Sequence, residues 1–352
     1  MKILTYSSLI TLLFLFSVNL NAQTQTQIND ANNDTRVETE RNPNEDMIRY
    51  RIGGTDKFRM IGSTLETLNN GRSVFIGESA GLNDDGTNNA NIYLGFEAGQ
   101  STTSGPNNVA IGFRALKDNV AGQNNFALGR NSMELTTGSL NVGLGALTLR
   151  FQTTGSNNDA IGQAAGQNNE TGNENVFIGS NAGRGSALHS KSGCVMIGNR
   201  AGFSDVSDNK LYIENSDDVT TPLLYGDFAA NQLAVGTSTP ALGYALSVNG
   251  KGIFTEVRVL ETVNWPDYVF QPNYQLRSLE EVDQFIKANG HLPNIPSAAE
   301  VAEEGVALGD MDKNLLEKIE ELTLYMIDMN EDVKKLKAEN EALKNEIKNL
   351  KK

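Results

Sequence analysis

The chain holds 352 residues, of which 34 are Gly and 41 Asn against 14 Phe, 9 Tyr and 1 Trp, a balance that predicts long runs of turns in place of one large aromatic core. A single Cys (Cys194) and two His (His189, His291) exclude an internal disulfide, a Cys-based zinc site and a His-rich catalytic metal, so neither metal nor cofactor is expected. The net charge of -14 excludes a nucleic-acid partner, which needs clustered Lys and Arg, and the excess acid is concentrated in residues 253–352 (12 basic, 20 acidic) while residues 71–202 are almost neutral (8 and 9).

Residues 1–22 have the pattern of a signal peptide. Met1-Lys2 is positive, Leu9 to Val18 is an apolar run too short to span a bilayer, and Leu20-Asn21-Ala22 ends in a small residue, so cleavage before Gln23 is expected. The mature chain is therefore expected to be secreted, extracellular or associated with a cell surface. No later segment has the roughly 18 apolar residues of a membrane helix, so no transmembrane segment is expected in the mature chain. Residues 23–46 are polar and without periodicity, which predicts a disordered leader. Residues 47–70 predict an opening β-hairpin around Gly53-Gly54.

A repeat fills residues 71–202. Phased on Gly77, Gly95, Gly112, Gly129, Gly145, Gly162, Gly179 and Gly198, it has spacings of 18, 17, 17, 16, 17, 17 and 19. Ile or Leu stands one residue before each of these anchors (Ile76, Leu94, Ile111, Leu128, Leu144, Ile161, Ile178, Ile197). An apolar residue stands three before in every copy except that of Asp159. That alternation predicts a short strand. Three residues after the anchor stands a small side chain (Ala98, Ala115, Ser132, Thr148, Ala165), and four before it stands Asn in six copies: Asn91, Asn108, Asn125, Asn141, Asn158 and Asn175. Cys194 occupies the Asn place of the last copy. The two strand aliphatics and the Ala are expected to supply the interior. So small a coil cannot enclose a core alone; stacked coils give one direction of burial and association of several chains gives another.

The segments Asn-Val-Ala-Ile-Gly-Phe-Arg-Ala (108–115) and Asn-Val-Phe-Ile-Gly-Ser-Asn-Ala-Gly (175–183) resemble the coils of trimeric autotransporter adhesin heads and of related phage tail-fibre shafts. The resemblance implies three chains, each winding a parallel β-roll. The sequence departs from it in a longer period and in lacking a C-terminal membrane-anchor barrel, so self-translocation is not implied.

Residues 203–259 keep strand character without the repeat (Lys210–Ile213, Gln232–Thr237) and are similar to the β-rich neck that joins fibre shafts to C-terminal domains. Residues 260–312 predict a small helical domain. In it, Ser278-Leu-Glu-Glu281 and Ser297-Ala-Ala-Glu300 are capping boxes whose helices stop at Gly290 and Gly305. Residues 313–352 predict a coiled coil, since Leu315, Ile319, Leu322, Met326, Met329, Val333, Leu336, Asn340, Leu343, Ile347 and Leu350 alternate steps of four and three. The β-branched a positions and Asn340 favour two strands, whereas the head resemblance favours three; a homotrimer is expected, with a dimer as the alternative.

Trp265-Pro-Asp-Tyr-Val-Phe270, His291-Leu-Pro-Asn-Ile-Pro296 and Leu315 to Leu322 resemble the C-terminal region of tail-fibre-like proteins, akin in placement to a chaperone domain. Some such domains cleave themselves with a Ser-Asp pair and a Lys, but Ser207-Asp208-Asn-Lys210 lies upstream of the neck and lacks the rest of that motif. Trp265 is expected to anchor the helical domain, and His291 to be a turn residue. Asp84-Asp85-Gly86 lacks the spacing of a calcium loop. The acids of the repeat (Glu78, Glu97, Asp118, Glu134, Asp159, Glu170, Glu174) fall at different coil positions and do not form the paired carboxylates of a glycan hydrolase. The sequence thus predicts a mainly β protein: a parallel β-roll or β-solenoid head of coils near 17 residues, a β-rich neck, then an α-helical segment and a coiled coil. Its expected work is structural or adhesive, holding an unidentified surface, glycan or protein by repetition, with no catalytic residues. The alternatives are a tail-spike-like hydrolase, a self-cleaving chaperone protein, and an assembly scaffold that binds a partner through its C-terminal helices.

Overall fold

The computed structural model describes residues 27–32, 34–39, 47–68, 71–260 and 265–351; residues 1–22, expected to be a signal peptide, lie outside them. The chain divides into two compact units, Met1–Gly252 and Ile253–Lys352.

The first unit opens with an antiparallel meander of five strands in sequence order: β1 (Gln27–Asn29), β2 (Arg36–Thr39), β3 (Met47–Ile52), β4 (Thr55–Ile61) and β5 (Thr64–Thr67). β3 and β4 form the hairpin expected around Gly53-Gly54. β1 and β2 fall inside the segment expected to be a disordered leader. Gln27 to Asn29 pair with Glu38 to Arg36, and Arg36 to Thr39 pair with Arg51 to Ile48. The polarity of residues 23–46 hid these strands, because a strand on a small sheet needs only one covered face.

The head is a parallel β-solenoid. Eight three-residue strands follow one another at the repeat spacing: β6 (Val74–Ile76), β7 (Ile92–Leu94), β8 (Val109–Ile111), β9 (Phe126–Leu128), β10 (Val142–Leu144), β11 (Asp159–Ile161), β12 (Val176–Ile178) and β13 (Val195–Ile197). Each pairs in parallel with the next without a register shift, as Val142 with Asp159 and Leu144 with Ile161. The residues of the expected neck belong to the same sheet: β14 (Lys210–Ile213), β15 (Leu224–Asp227), β16 (Gln232–Val235) and β17 (Leu246–Val248) extend it to twelve strands. The β14–β15 and β15–β16 pairs are antiparallel, and β16–β17 is parallel.

The anchor glycines are explained twice over. Their φ angles run from 119° to 137°, a region that L side chains rarely adopt. A Cβ on Gly95 would also lie 2.5 Å from the Gly112 carbonyl oxygen, and one on Gly129 2.5 Å from that of Gly145. The coils stack at their corners with only backbone between them.

Strand polarity differs from expectation. The interior receives the middle residue of each strand, so Tyr93, Ala110, Ala127, Ala160, Phe177 and Met196 are fully buried. The two flanking aliphatics, expected inside, point outward. The reason is the period-2 pleat: the Asn four before the anchor and the middle residue two before it share a face, and the Asn side chains must be inside to meet the turn carbonyls. The small residue three after the anchor is interior as expected, with Ala98, Ala115, Ser132, Thr148 and Ala165 fully buried.

The second unit begins with a short 3-10 turn, Pro266–Phe270, followed by α1 (Leu279–Asn289), α2 (Ala298–Glu304) and α3 (Leu308–Leu350). Both expected capping boxes are formed, by Ser278 with Glu281 and by Ser297 with Glu300, and the chain leaves α1 through Gly290 at φ 79°. α3 starts five residues before the expected coiled-coil boundary at 313.

Candidate functional site

Three arrangements in the molecule follow from the repeat and the heptads, and each is built from residues that recur at fixed places.

The first is a buried Asn ladder. Asn91, Asn108, Asn141, Asn158 and Asn175 are fully buried and Asn125 almost so. Each side-chain oxygen accepts the backbone N–H of the Asn in the next coil: Asn108 to Asn91 at 2.8 Å, Asn125 to Asn108 at 3.0 Å, Asn141 to Asn125 at 3.0 Å, Asn158 to Asn141 at 3.0 Å and Asn175 to Asn158 at 3.1 Å. Each amide nitrogen donates to a turn carbonyl, as Asn108 to Gly122 at 2.8 Å and Asn125 to Gly138 at 2.9 Å. Ser73 begins the ladder by accepting from the Asn91 N–H at 3.0 Å, and Cys194 ends it by donating its own N–H to Asn175 at 3.0 Å. Cys194 is a free, buried thiol that faces the Ser207 carbonyl at 3.3 Å, and burial pushes it up. A second, exposed ladder went unread in the sequence: the N–H groups of Ser139, Ser156 and Asn173 donate to Ser156, Asn173 and Ser192 side chains at 2.8 to 3.1 Å. Its signal was a small polar residue six before each of the last four anchors: Ser139, Ser156, Asn173 and Ser192.

The second arrangement is an outward aliphatic face. Because the strands stack in register, Val74, Ile92, Val109, Phe126, Val142, Val176 and Val195 form one column, and Ile76, Leu94, Ile111, Leu128, Leu144, Ile161, Ile178 and Ile197 form another. Ile92, Leu94, Phe126, Leu128, Ile161 and Ile178 are each 38 to 43 % exposed. Asp159 is the only charged side chain in either column and is exposed. Phe96 and Phe113 stack beside the face with centroids 5.4 Å apart. A monomer that keeps such a stripe in water forgoes burial of about 25 cal/mol per Å2 along its whole length.

The third is the two-sided helix α3. Its polar side is covered by its own unit. Tyr268 donates to Glu317, Tyr274 donates to Glu321 at 2.5 Å, and Asn294 donates to Glu317 at 3.0 Å. Lys318 bridges Glu317 at 2.9 Å and Glu321 at 2.8 Å. Burial acts to raise the Glu317 carboxyl, and the bonds from Tyr268, Lys318 and Asn294 outweigh it and hold the group below the ordinary carboxylate range. The bond to Glu317, helped by burial, pushes Tyr268 up to about 12. Pro266 and Val269 are the buried residues of the 3-10 turn, whereas Trp265, expected as the anchor, is half exposed. Trp265 has the larger apolar area but stands before the 3-10 turn as its N-cap, and the turn itself buries Pro266 and Val269. His291 stacks edge-on against Phe285 at 5.6 Å.

The other side of α3 is bare. Leu315, Ile319, Leu322, Met326, Met329, Val333, Leu336, Leu343, Ile347 and Leu350 are 41 to 81 % exposed, and Asn340 is exposed with them. A hollow of about 100 Å3 lined by Leu279, Val282, Leu292, Pro293 and Tyr325 opens beside heptad residue Leu322. The unit therefore buries charge and exposes aliphatics, the reverse of a self-sufficient domain.

Reactive groupings are sparse. Among the described residues no cluster of three or more His, Cys, Asp or Glu could hold a metal ion, and no helix is long and apolar enough to cross a membrane. The repeat acids serve the stack: Glu97 pairs with Arg114 at 2.8 Å and Lys117 at 3.2 Å, and Glu134 pairs with Arg150 at 2.7 Å. Asp84 and Asp85 accept the N–H groups of Gly86 and Thr87 within an exposed turn. No protein-family model, curated protein or solved structure matches the chain.

Proposed function

We propose that the chain is a non-catalytic structural and adhesive protein of the cell exterior that works as a homo-oligomer of three copies. The outward aliphatic face carries the proposal: two in-register columns of Val, Ile, Leu and Phe run along eight coils, interrupted at Asp159 alone, and such a face needs a cover of equal length. A second and third copy offer the same columns at the same spacing, so the burial repeats coil by coil. The bare heptad face of α3 supports the same occupant. Three copies would also triple the surface that each coil presents, which turns weak contacts into avidity. The pattern of residues 1–22 supports export.

The test of function is retention of the full chain on an array of immobilised glycans, followed by assay of the supernatant for reducing sugars. Retention without sugar release is the expected result. Released sugars would replace adhesion with hydrolysis, and failure to bind any glycan would remove glycans as the target.

A further inference from the structure

From Met326 to Lys351 every side chain of α3 is exposed, and the charges along this stretch are ordered. With Leu315, Leu322, Met329, Leu336, Leu343 and Leu350 at d and Ile319, Met326, Val333, Asn340 and Ile347 at a, the g positions are Lys318, Tyr325, Asp332, Glu339 and Glu346. The e positions from Asn330 onward are Asn330, Lys337, Lys344 and Lys351. The last three heptads therefore carry acid at every g and base at every e.

We propose that α3 pairs with α3 of a second copy in parallel and in register over residues 332–351, with Asp332, Glu339 and Glu346 of one copy facing Lys337, Lys344 and Lys351 of the next. This rests on the homo-oligomer proposed above and fixes its direction. Residues five apart on one helix do not face each other, so these pairs cannot close within a chain; across a parallel coiled coil, g meets the e of the following heptad. An antiparallel pair would set g against g and e against e, acid on acid and base on base. Glu339, Glu346, Lys337 and Lys351 have no ion-pair partner among the described residues. Asp332 and Lys344 hold only the bonds to Lys335 (3.3 Å) and Glu341 (2.7 Å), in which all four side chains are more than 60 % exposed, so those bonds exchange at little cost.

The upper heptads are built differently. Lys318 at g is held by Glu317 and Glu321 of its own chain, and Tyr325 at g donates to the Arg277 carbonyl at 2.6 Å. Segments 266–277 and 291–296 thus occupy the g side where the helix is clamped, and the interchain charges begin where the clamp ends.

The test is oxidative cross-linking of a Leu343→Cys variant of the full chain, alongside the mass of the unoxidised protein. In the parallel arrangement the two thiols sit across one d layer, and most of the chain should become covalently joined, while wild type, with only the buried Cys194, should not. In an antiparallel coil that uses the whole seam from Leu315 to Leu350, d faces a, so residue 343 sits opposite residue 319 or 326 and the two thiols lie about 25 Å or more apart. An oligomer that fails to cross-link overturns the parallel register; a monomeric mass overturns the homo-oligomer instead. Charge reversal supplies a second readout. D332K/E339K/E346K should lower the melting midpoint of the helical signal by several degrees, and adding K337E/K344E/K351E should restore it. Absence of restoration would contradict the charge pairing even if the cross-link forms.

Discussion

Asn125 sits in the middle of the buried ladder and cannot be replaced by a side chain with fewer than three polar contacts. Its amide nitrogen satisfies the Gly138 carbonyl, and its oxygen accepts both the N–H and the side-chain amide of Asn141 at 3.0 and 3.1 Å. Asn125→Leu matches the volume but leaves a buried N–H and a buried carbonyl unpaired, at about 1 to 3 kcal/mol each. Denaturant unfolding should show a loss on the order of 3 kcal/mol, well above that for the same change at exposed Asn124. Lys191 tests the other end of the core. It stands where earlier coils have the turn Gly and is fully buried; its ammonium donates to the Asp205 carbonyl and to that of Gly202 at 3.3 Å. Burial pushes it down to about 8 from 10.5. The folded state then binds fewer protons than the unfolded state between about pH 8 and 10.5, so this group's contribution to stability grows as pH rises through that window and is absent below it. The gain is on the order of 3 kcal/mol at most. Lys191→Met should remove that upward slope while leaving the remaining pH dependence in place.

At the scale of one coil the interior follows a volume rule. Where the middle strand residue is large, the residue four after the anchor is Gly: Phe75 with Gly81, Tyr93 with Gly99, Phe177 with Gly183, Met196 with Gly202. A Cβ on Gly99 would lie 2.4 Å from the Tyr93 ring, and one on Gly183 2.3 Å from that of Phe177. Where the middle residue is Ala110, Ala127 or Gly143, the later place holds Leu116, Met133 or Leu149, all fully buried. Seven of the eight coils thus have one large side chain in either of two places; the coil of Gly162 has neither, and its Ala160 and Gly166 leave room for Phe177 and Leu149 of the coils on either side. Tyr93→Ala should cost about 3 to 5 kcal/mol, and Gly99→Leu should overpack. The double variant Y93A/G99L, which converts this coil to the composition of the next, should be less destabilised than the sum, with a coupling of more than about 1 kcal/mol. The eight anchors, the strands and the capping boxes were legible in the sequence because each rests on a residue whose backbone preference is strong. Which strand face points inward was not, since both faces are apolar and only the hydrogen-bonding demand of the Asn side chains decides between them. The strands at Gln27–Asn29 and Arg36–Thr39 were hidden for the complementary reason: their own residues are mostly polar, and the apolar alternation that marks a strand is absent.

At the scale of the whole molecule, the proposed homo-oligomer has copies of this chain cover one another. Each unit, taken by itself, exposes the aliphatics that its period repeats most faithfully: the strand-flanking columns in the first and the a and d residues of α3 in the second. The composition is therefore divided between Asn and Gly that close each coil from within and Ile, Leu and Val that face outward. Leu128→Arg separates the two cases, because a substitution at a solvated surface changes stability by less than about 0.5 kcal/mol, whereas a charge placed inside an apolar interface disrupts it. The most direct measurement is the mass in solution of the full chain beside its Leu128→Arg variant. Three copies for the first, and a smaller species for the second, is the predicted result; a single-chain mass for the unmodified protein would contradict it.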